Sequence, residues 1–275
     1  MTTAAELLRS STLPPLETRI LLEHVLGWRR TELITRDAEE LDAQSVGRFE
    51  ALAQRRMNGE PVAQLVGTRE FFGLPFDVTP DVLIPRPETE LLVEIALAKI
   101  AGISAPRVLD LGTGSGAIAV AIACSRRDAQ VWAVDQSAKA LEVAARNAAK
   151  LLGGDRPVNF LQSNWTEALD PALRFDAIVS NPPYIAQHDP HLSEGDLRFE
   201  PRTALTDEAD GLSAIRTIIQ SAPFFLATNG VLWLEHGYDQ AAEVRTLLTA
   251  RGFSDVRSER DLAGIERASG GVFAA

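Results

Sequence analysis

Four consecutive residues, Asn181, Pro182, Pro183 and Tyr184, have the clearest chemical potential in the chain, and they follow the apolar run FDAIVS. A nitrogen attached to a carbonyl group or an aromatic ring has a delocalised lone pair, so a general base cannot usefully deprotonate it before reaction. Hydrogen-bond acceptors that hold both of its N–H groups would instead favour a lone pair that points at an electrophile. Asn181 supplies a side-chain carbonyl, Pro182 supplies a backbone carbonyl with no N–H to compete, and Tyr184 supplies a flat ring. The pattern indicates a clamp for a planar NH2 group that works by position and electrostatics.

A rigid turn is the alternative interpretation of the same residues. Asn before Pro is a common start of a turn, and Tyr184 would then be a buried core residue. The choice depends on which other motifs lie at the same edge of the fold.

The stretch VLDLGTGSGAIAVAIA predicts a strand, a glycine-rich turn and a helix. Gly112, Gly114 and Gly116 would allow a tight turn and let a ligand approach the backbone beside the helix N-terminus. Their spacing is G-x-G-x-G, which differs from the G-x-G-x-x-G of dinucleotide-binding proteins. Such a turn is weak evidence on its own, because many glycine-rich strings are only turns.

Two later strand ends strengthen the prediction of a nucleoside site. The strand QVWAVD ends in Asp135, where a carboxylate would accept hydrogen bonds from ribose hydroxyl groups; alternatively Asp135 caps the next helix, with Ser137 as the competing cap. In LQSNWTEAL, an adenine ring could lie against Trp165 and bond with Asn164, although Trp165 could also be a core residue. Asp110, just before the glycine turn, could reach a cationic amine. This combination favours an S-adenosylmethionine site over a dinucleotide site.

The elements that must position these residues alternate between strand and helix. The predicted strands are RVLDL, QVWAVD, VNFLQ, FDAIVS and GVLWLEHG, with a final pair of strands after Gly252. This alternation predicts a doubly wound, mostly parallel sheet of the Rossmann-like α/β class, whose strand ends meet at one edge. We divide the chain into a helical substrate-recognition domain (1–70), a hairpin or linker (71–87) and an α/β domain that would carry the S-adenosylmethionine site (88–275).

Composition limits the classes of protein. With 45% hydrophobic and 24% charged residues, the 275-residue chain has a globular composition. The single cysteine, Cys124, excludes an internal disulfide and fits a reducing compartment, and we see neither a secretory signal nor a membrane span. We therefore expect a cytoplasmic protein, for which a monomer suffices. His188 and His191 lack a third ligand of matching spacing, so we expect no metal.

Charge bears on the partner. The net charge of −11 disfavours stable binding of nucleic acid. The run after the Asn-Pro-Pro-Tyr turn holds Asp189, Glu194, Asp196, Glu200, Asp207, Glu208 and Asp210 against Arg198 and Arg202. Most acidic runs are solvated faces, but this one directly follows the acceptor turn. We interpret it, together with the helical domain, as a surface that binds a basic region of a protein partner.

Four strings, IPRPETE, DLGTGSGAIA, SNPPYI and DPHLSEGDLRFEPRTAL, together resemble the PrmC (HemK) protein-(glutamine-N5) methyltransferases. The resemblance covers most of the chain. It implies a translation-termination enzyme that transfers a methyl group from S-adenosylmethionine to the glutamine of the Gly-Gly-Gln motif in peptide chain release factors. It leaves IPRPETE, including Arg86, without a role that we can derive.

The resemblance also assigns the site. Gly112, Thr113, Gly114, Ser115 and Gly116 would cradle the methionine part of S-adenosylmethionine, Asp135 would take the ribose, and Trp165 would lie by the adenine. Asn181, Pro182, Pro183 and Tyr184 would hold the target glutamine, with Asn181, Pro182 and Tyr184 catalytic and Asn181 also facing the cofactor. One departure is Asn164, where relatives often carry Asp; its amide oxygen can still accept a bond from the adenine amino group.

Two rival functions stay open. The Asn-Pro-Pro-Tyr turn would also serve an amino methyltransferase acting on adenine or guanine in DNA or RNA, against which stand the acidic balance and the absence of a further recognition domain. A non-enzymatic domain that binds S-adenosylmethionine and a partner is the second rival, and the intact Asn181 argues against it.

Overall fold

The structure, a computed structural model, describes residues 2–153 and 158–274. It divides into two compact units. The first contains the chain up to Thr68 and the segment Glu194–Phe199; the second contains Arg69–Ser193 and the chain from Glu200 onward. No sequence pattern indicated that Glu194–Phe199 would join the helical unit.

The first unit is helical. Its helices are α1 (Ala4–Ser10), α2 (Pro15–Leu26), α3 (Arg30–Thr35), α4 (Ala43–Met57) and α5 (Val62–Val66), with a 3-10 turn at Gly195–Phe199. Proline opens α2, and Gly27 ends it with a φ of 65°. Leu21, Leu22 and Phe49 lie at the centre of this unit's own apolar core.

Polar contacts bind Glu194–Phe199 into the helical unit. The Arg56 guanidinium lies 2.8 Å from carboxylate oxygens of both Glu17 and Asp196. Gln64 Nε2 donates to the carbonyl of Phe199 at 3.1 Å. Residues nearly 140 positions apart in the chain are therefore joined, which explains why local pattern could not reveal the segment.

The second unit contains a short hairpin and a seven-stranded sheet flanked by helices. In chain order its elements are β1 (Thr68–Phe71), β2 (Leu74–Asp77), α6 (Glu90–Lys99), β3 (Arg107–Leu111), α7 (Ala117–Ser125), β4 (Gln130–Asp135), α8 (Ala138–Leu152), β5 (Val158–Gln162), β6 (Phe175–Ser180), α9 (Arg202–Leu205), α10 (Ser213–Ser221), β7 (Leu226–Glu235), α11 (Ala241–Arg251), β8 (Ser254–Arg260) and β9 (Glu266–Phe273). The hairpin turns at Phe72 and Gly73, both at positive φ, where the sequence predicts it. None of the helices in the described ranges is both long and apolar enough to cross a membrane.

The strand order is β5-β4-β3-β6-β7-β9-β8. Strands β3 to β7 are parallel, and the last two pair antiparallel as the predicted final pair. Apolar side chains pack on both faces, around Ile122 on one and Ile218 on the other. The prediction of a doubly wound, mostly parallel sheet is confirmed.

The register aligns the strand ends that carry the predicted site. Leu111 lies opposite Val134 and Ser180, and Ser180 lies opposite Leu234. The strand order reverses between β3 and β6, which is the switch point where open α/β sheets bind ligands. The residues after these positions therefore share one edge of the sheet.

Candidate active site

A cavity of about 250 Å³ opens at this edge of the sheet. Its lining includes these predicted site residues: Gly112, Thr113, Gly114, Ser115, Asp135, Asn164, Trp165, Asn181 and Pro183. Gly116, Pro182 and Tyr184 lie outside that lining. The structure thus brings the glycine turn, the acidic strand end and the Asn-Pro-Pro turn to one cavity.

The glycine turn keeps one wall of the cavity open. Gly112, Gly114 and Gly116 all have positive φ, at 74°, 55° and 81°. A side chain at Gly112 would come within 3.3 Å of the Trp165 ring, and one at Gly116 within 3.0 Å of Ala144 on α8. Gly112 therefore makes room at the cavity, whereas Gly116 lets α7 and α8 pack closely.

Asp135 lines the cavity and also braces the turn. Its two carboxylate oxygens accept the N–H groups of Gly114 and Ser137, both at 2.9 Å. Ser137, the competing cap, receives the Ala140 N–H and caps α8. Burial raises the pKa of Asp135.

Asp110 lies beneath the glycine turn and does not line the cavity. One of its oxygens accepts the Thr113 hydroxyl at 2.6 Å and the Ala119 N–H at 3.2 Å. Burial raises its pKa to about 7. The structure gives Asp110 a role in ordering the turn, and the interpretation that it reaches a cationic amine finds no support in this position.

Asn164 and Trp165 form the wall at the end of β5. Trp165 has a φ of 50°, an unusual value for a large side chain, and it lines the cavity. The Asn164 Nδ2 donates to Glu167 Oε1 at 2.7 Å. Because the amide nitrogen is committed to Glu167, the oxygen of Asn164 is the atom left to accept a bond from a ligand.

The Asn-Pro-Pro-Tyr turn is held from two sides. Asn181 Nδ2 donates to the Thr89 hydroxyl at 3.0 Å. The Tyr184 hydroxyl donates to Glu235 Oε1 at 3.1 Å, and the ring packs against the core. Gln240 Nε2 donates to the Tyr184 carbonyl at 3.1 Å.

The structure shows what the motifs IPRPETE and RFEPRTAL contact, which the sequence alone did not indicate. Glu200, from RFEPRTAL, is 5% exposed. Its carboxylate accepts the Ile84 N–H at 2.8 Å and pairs with the Arg86 guanidinium, both from IPRPETE. Both strings line the cavity, through Pro85, Arg86, Thr89, Pro201, Thr203 and Ala204. Sequence reasoning missed Thr89 and Glu200 as site residues, because their partners lie about a hundred positions away.

Most of the acidic run has partners within the chain. Asp196 pairs with Arg56, Glu200 with Arg86, Glu208 with Arg202, Asp210 with Arg216, and Asp189 with His191. Asp207 accepts the N–H groups of Ala209, Gly211 and Ser213. The interpretation of this run as a docking surface stays a prediction, and among these acids it now depends mainly on the exposed Glu194. Across the described ranges no group of three His, Cys, Asp or Glu side chains is arranged to hold a metal ion.

Comparison with known proteins gives the family. The chain matches the PrmC N-terminal domain over residues 1–67 and the methyltransferase small domain over residues 87–195. It is 68% identical over 272 residues to a release factor glutamine methyltransferase of Burkholderia pseudomallei, covering 98% of this chain and 95% of the relative. A release factor glutamine methyltransferase of Bordetella pertussis is 55% identical over 271 residues, covering 98% of this chain and 99% of the relative.

A solved structure supports the fold. A 16S rRNA methyltransferase of T. thermophilus, in complex with AdoMet and guanosine, matches with a TM-score of 0.54 and 20% identity over 75% of this chain and 49% of that one. The sheet topology and the match to the methyltransferase small domain define a methyltransferase of the Rossmann-like class. The chain belongs to the release factor glutamine methyltransferase family. The predicted resemblance is confirmed.

Proposed function

We propose that this protein transfers a methyl group from S-adenosylmethionine to the side-chain amide nitrogen of the glutamine in the Gly-Gly-Gln motif of peptide chain release factors. One observation carries the chemistry: Thr89 holds the amide nitrogen of Asn181, which leaves the Asn181 oxygen as the acceptor at a cavity that the glycine turn also lines. The full-length similarity to release factor glutamine methyltransferases supports the substrate.

The residues of the cavity fit the methyl donor. Gly112 leaves the space beside the Trp165 ring that a side chain would fill. Asp135 presents a carboxylate, the group that suits ribose hydroxyls, and Asn164 retains an amide oxygen for an adenine amino group. Gly112, Thr113, Gly114 and Ser115 would hold the methionine part. When bound, S-adenosylmethionine supplies a methyl group on a positively charged sulfur.

The acceptor side works by orientation. The Asn181 oxygen and the Pro182 carbonyl would accept the two N–H groups of the target amide, and Tyr184 and Pro183 would limit its tilt. Both hydrogen bonds strengthen as positive charge develops on the amide nitrogen, so they stabilise the transition state more than the bound substrate. Prolines keep competing N–H donors out of this turn. The target nitrogen therefore needs no prior deprotonation.

We assign the helical domain (1–70) to recognition of the release factor and the α/β domain (88–275) to catalysis, with 71–87 as hairpin and linker. The proposed donor and acceptor residues all come from one chain, so a monomer suffices. The single cysteine supports a cytoplasmic setting.

Labelled S-adenosylmethionine tests the reaction. We expect label on the glutamine of the Gly-Gly-Gln motif when the protein is incubated with full-length release factor, and none with DNA or RNA, as located by mass spectrometry. Asn181→Ala serves as the control; it should nearly abolish transfer while donor affinity stays within roughly tenfold, or ~1.4 kcal/mol. Label on nucleic acid alone would overturn the proposal in favour of an amino methyltransferase acting on bases, and label nowhere would favour a binding domain.

A further inference from the structure

Gln240 occupies the cap position just before α11, but its side chain bonds away from that helix. Its Oε1 accepts the Gly237 N–H at 2.8 Å. Its Nε2 donates to the carbonyl groups of Tyr184 at 3.1 Å and Gly211 at 3.3 Å. The side chain is half-buried and lies outside the lining of the cavity. One amide group therefore joins the acceptor turn to two other loops of the α/β unit.

The orientation of this amide follows from its partners. A backbone carbonyl only accepts hydrogen bonds, and a backbone N–H only donates one. The NH2 group of Gln240 must therefore face Tyr184 and Gly211, and its oxygen must face Gly237. A flipped amide would place its oxygen against two carbonyl oxygens, so the direction of these bonds is fixed.

The acceptor turn depends on such contacts because two of its four residues are prolines, which have no N–H to donate. Its last residue, Tyr184, is joined to Ile185 by a peptide group that is held on both sides. The N–H of this peptide group donates to the Leu205 carbonyl at 3.0 Å, and its carbonyl accepts the NH2 group of Gln240. Because a peptide group is planar, the two bonds fix its orientation and with it the position of the Tyr184 α-carbon.

The residue types at 211 and 240 suit this contact. Gly211 has a φ of 81°, and a Cβ there would lie 2.5 Å from the Tyr184 carbonyl oxygen and 3.0 Å from Gln240 Nε2. The cap position before a helix favours a short polar side chain such as Ser or Asp. Gln240 is longer, and among the described residues its side chain makes no capping bond to α11. Its length serves the acceptor turn instead of the helix.

We propose that Gln240 is a positioning residue for methyl transfer. Through the Tyr184 carbonyl it fixes the end of the acceptor turn, and so the places of the Tyr184 ring and the Pro182 carbonyl that would hold the target amide. Because Gln240 lies outside the cavity lining, its effect reaches the reaction only through this turn. A displacement of about 1 Å in a positioned group can cost about a hundredfold in rate. The proposal rests on the proposed function of the turn as the site of the target glutamine.

The Gln240→Glu variant separates the donor from the acceptor. Glutamate has the same shape and keeps an oxygen for the Gly237 N–H, but it places its other oxygen against the carbonyl groups of Tyr184 and Gly211. At about pH 8, where the introduced carboxyl group is ionised, we expect kcat for release factor methylation to fall about tenfold or more. The affinity for S-adenosylmethionine, measured by calorimetry, should stay within about twofold of the wild type.

Two further variants complete the comparison. Methionine is similar in length to glutamine, uncharged and without an NH2 donor, so Gln240→Met should also lose kcat and covers the case in which Gln240→Glu does not fold. Asn159 lies near the start of β5, at the opposite edge of the sheet from the cavity, and its Nδ2 donates to the Val131 carbonyl at 3.2 Å. Asn159→Ala therefore removes a similar bond elsewhere and should keep wild-type kcat. Thermal unfolding checks that each variant is folded.

The position of Tyr184 can be measured without any substrate. The chain has two tyrosines, Tyr184 and the exposed Tyr238. Protein labelled with ring-13C tyrosine therefore gives two sets of ring signals in NMR spectra, and the Tyr238→Phe variant assigns them. We expect the Tyr184 signals to shift in both Gln240 variants and to stay in place in Asn159→Ala.

The outcomes distinguish the role of Gln240 from the proposed function. Unchanged Tyr184 signals, wild-type kcat in either folded Gln240 variant, or an equal loss of kcat in Asn159→Ala would overturn the role of Gln240. If the wild-type protein does not methylate release factor, the proposed function fails, whereas the Tyr184 signals still test whether Gln240 positions the turn.

Discussion

Asp110 shows how a single buried carboxyl group can make stability depend on pH. It is 0% exposed, and the oxygen that does not bond to Thr113 and Ala119 has no partner among the described residues. Burial favours the protonated form and raises its pKa from 3.8 to about 7. A raised pKa in the folded state means that the stabilising contribution is fully present below about pH 4. It is lost as pH rises from about 4 to about 7.

We therefore expect Asp110→Asn to gain stability relative to the wild type as pH rises. The asparagine oxygen can keep both bonds, and its nitrogen takes the unpartnered position. Between about pH 5.5 and about pH 8.5 the difference in the free energy of unfolding should shift by on the order of 1 kcal/mol or more in favour of the variant. Urea unfolding at several pH values measures this.

Asp128→Asn is the matched control. Hydrogen bonding to Arg126 lowers the pKa of Asp128 to about 2, so this exposed group is ionised throughout the window in both states. The difference in the free energy of unfolding between Asp128→Asn and the wild type should not change with pH. If the difference in the free energy of unfolding between Asp110→Asn and the wild type is also constant with pH, Asp110 is already ionised at the lower end of this pH range.

At the scale of elements, a single residue far along the chain holds the segment before α6 in place. Glu200 binds the Ile84 N–H and the Arg86 guanidinium, and three residues further on Thr89 holds Asn181. The irregular stretch with Pro85 and Pro87 has few backbone bonds of its own, since proline has no N–H. Glu200 supplies the contacts that regular structure would otherwise provide.

The Glu200→Gln variant should loosen the segment that contains Ile84 and Arg86. Because Arg86 loses a charged partner in a buried setting, we expect a loss of about 1–3 kcal/mol in the free energy of unfolding. We also expect faster hydrogen exchange at the Ile84 amide and weaker binding of the donor. Glu208→Gln, which breaks the exposed pair with Arg202, should match the wild type in all three measurements. Equal exchange at Ile84 in both variants would contradict the role given to Glu200.

The elements also show what sequence could and could not predict. Alternating apolar runs indicate the strands, and residues that follow parallel strands share an edge, so the sequence alone places Gly112, Asp135 and Asn181 together. The links from Thr89 to Asn181 and from Glu200 to Ile84 span 92 and 116 positions, and no local pattern encodes such pairings. The depth of Asp110 was equally beyond prediction, because spacing shows where a carboxylate lies along a strand but not how deeply it is buried.

At the scale of the whole molecule, the net charge of −11 suggests a surface that attracts a basic partner. Pairing within the chain uses most of the charges in the run from 189 to 210. Glu194 is exposed and lies in the segment that joins the helical unit.

We expect Glu194→Lys to raise KM for full-length release factor by severalfold, because a repelled basic surface associates more slowly. The value of kcat and the affinity for S-adenosylmethionine should not change. Glu50, on α4, is also exposed, and Glu50→Lys makes the same change in net charge elsewhere on the helical unit. Steady-state kinetics at low and high salt compare the two. If both variants raise KM equally, the effect is one of overall charge and the docking prediction fails.

The membership of Glu194–Phe199 in the helical unit has a consequence for dissection of the protein. The polypeptide passes between the two units three times, after Thr68, Ser193 and Phe199. A fragment that stops at Thr68 lacks the Asp196 and Phe199 groups that Arg56 and Gln64 hold. A fragment that starts at Arg69 carries the same six residues without their partners. The N-terminal helices therefore cannot be transferred to a relative by themselves. An exchange of the helical unit between relatives must include the segment Glu194–Phe199.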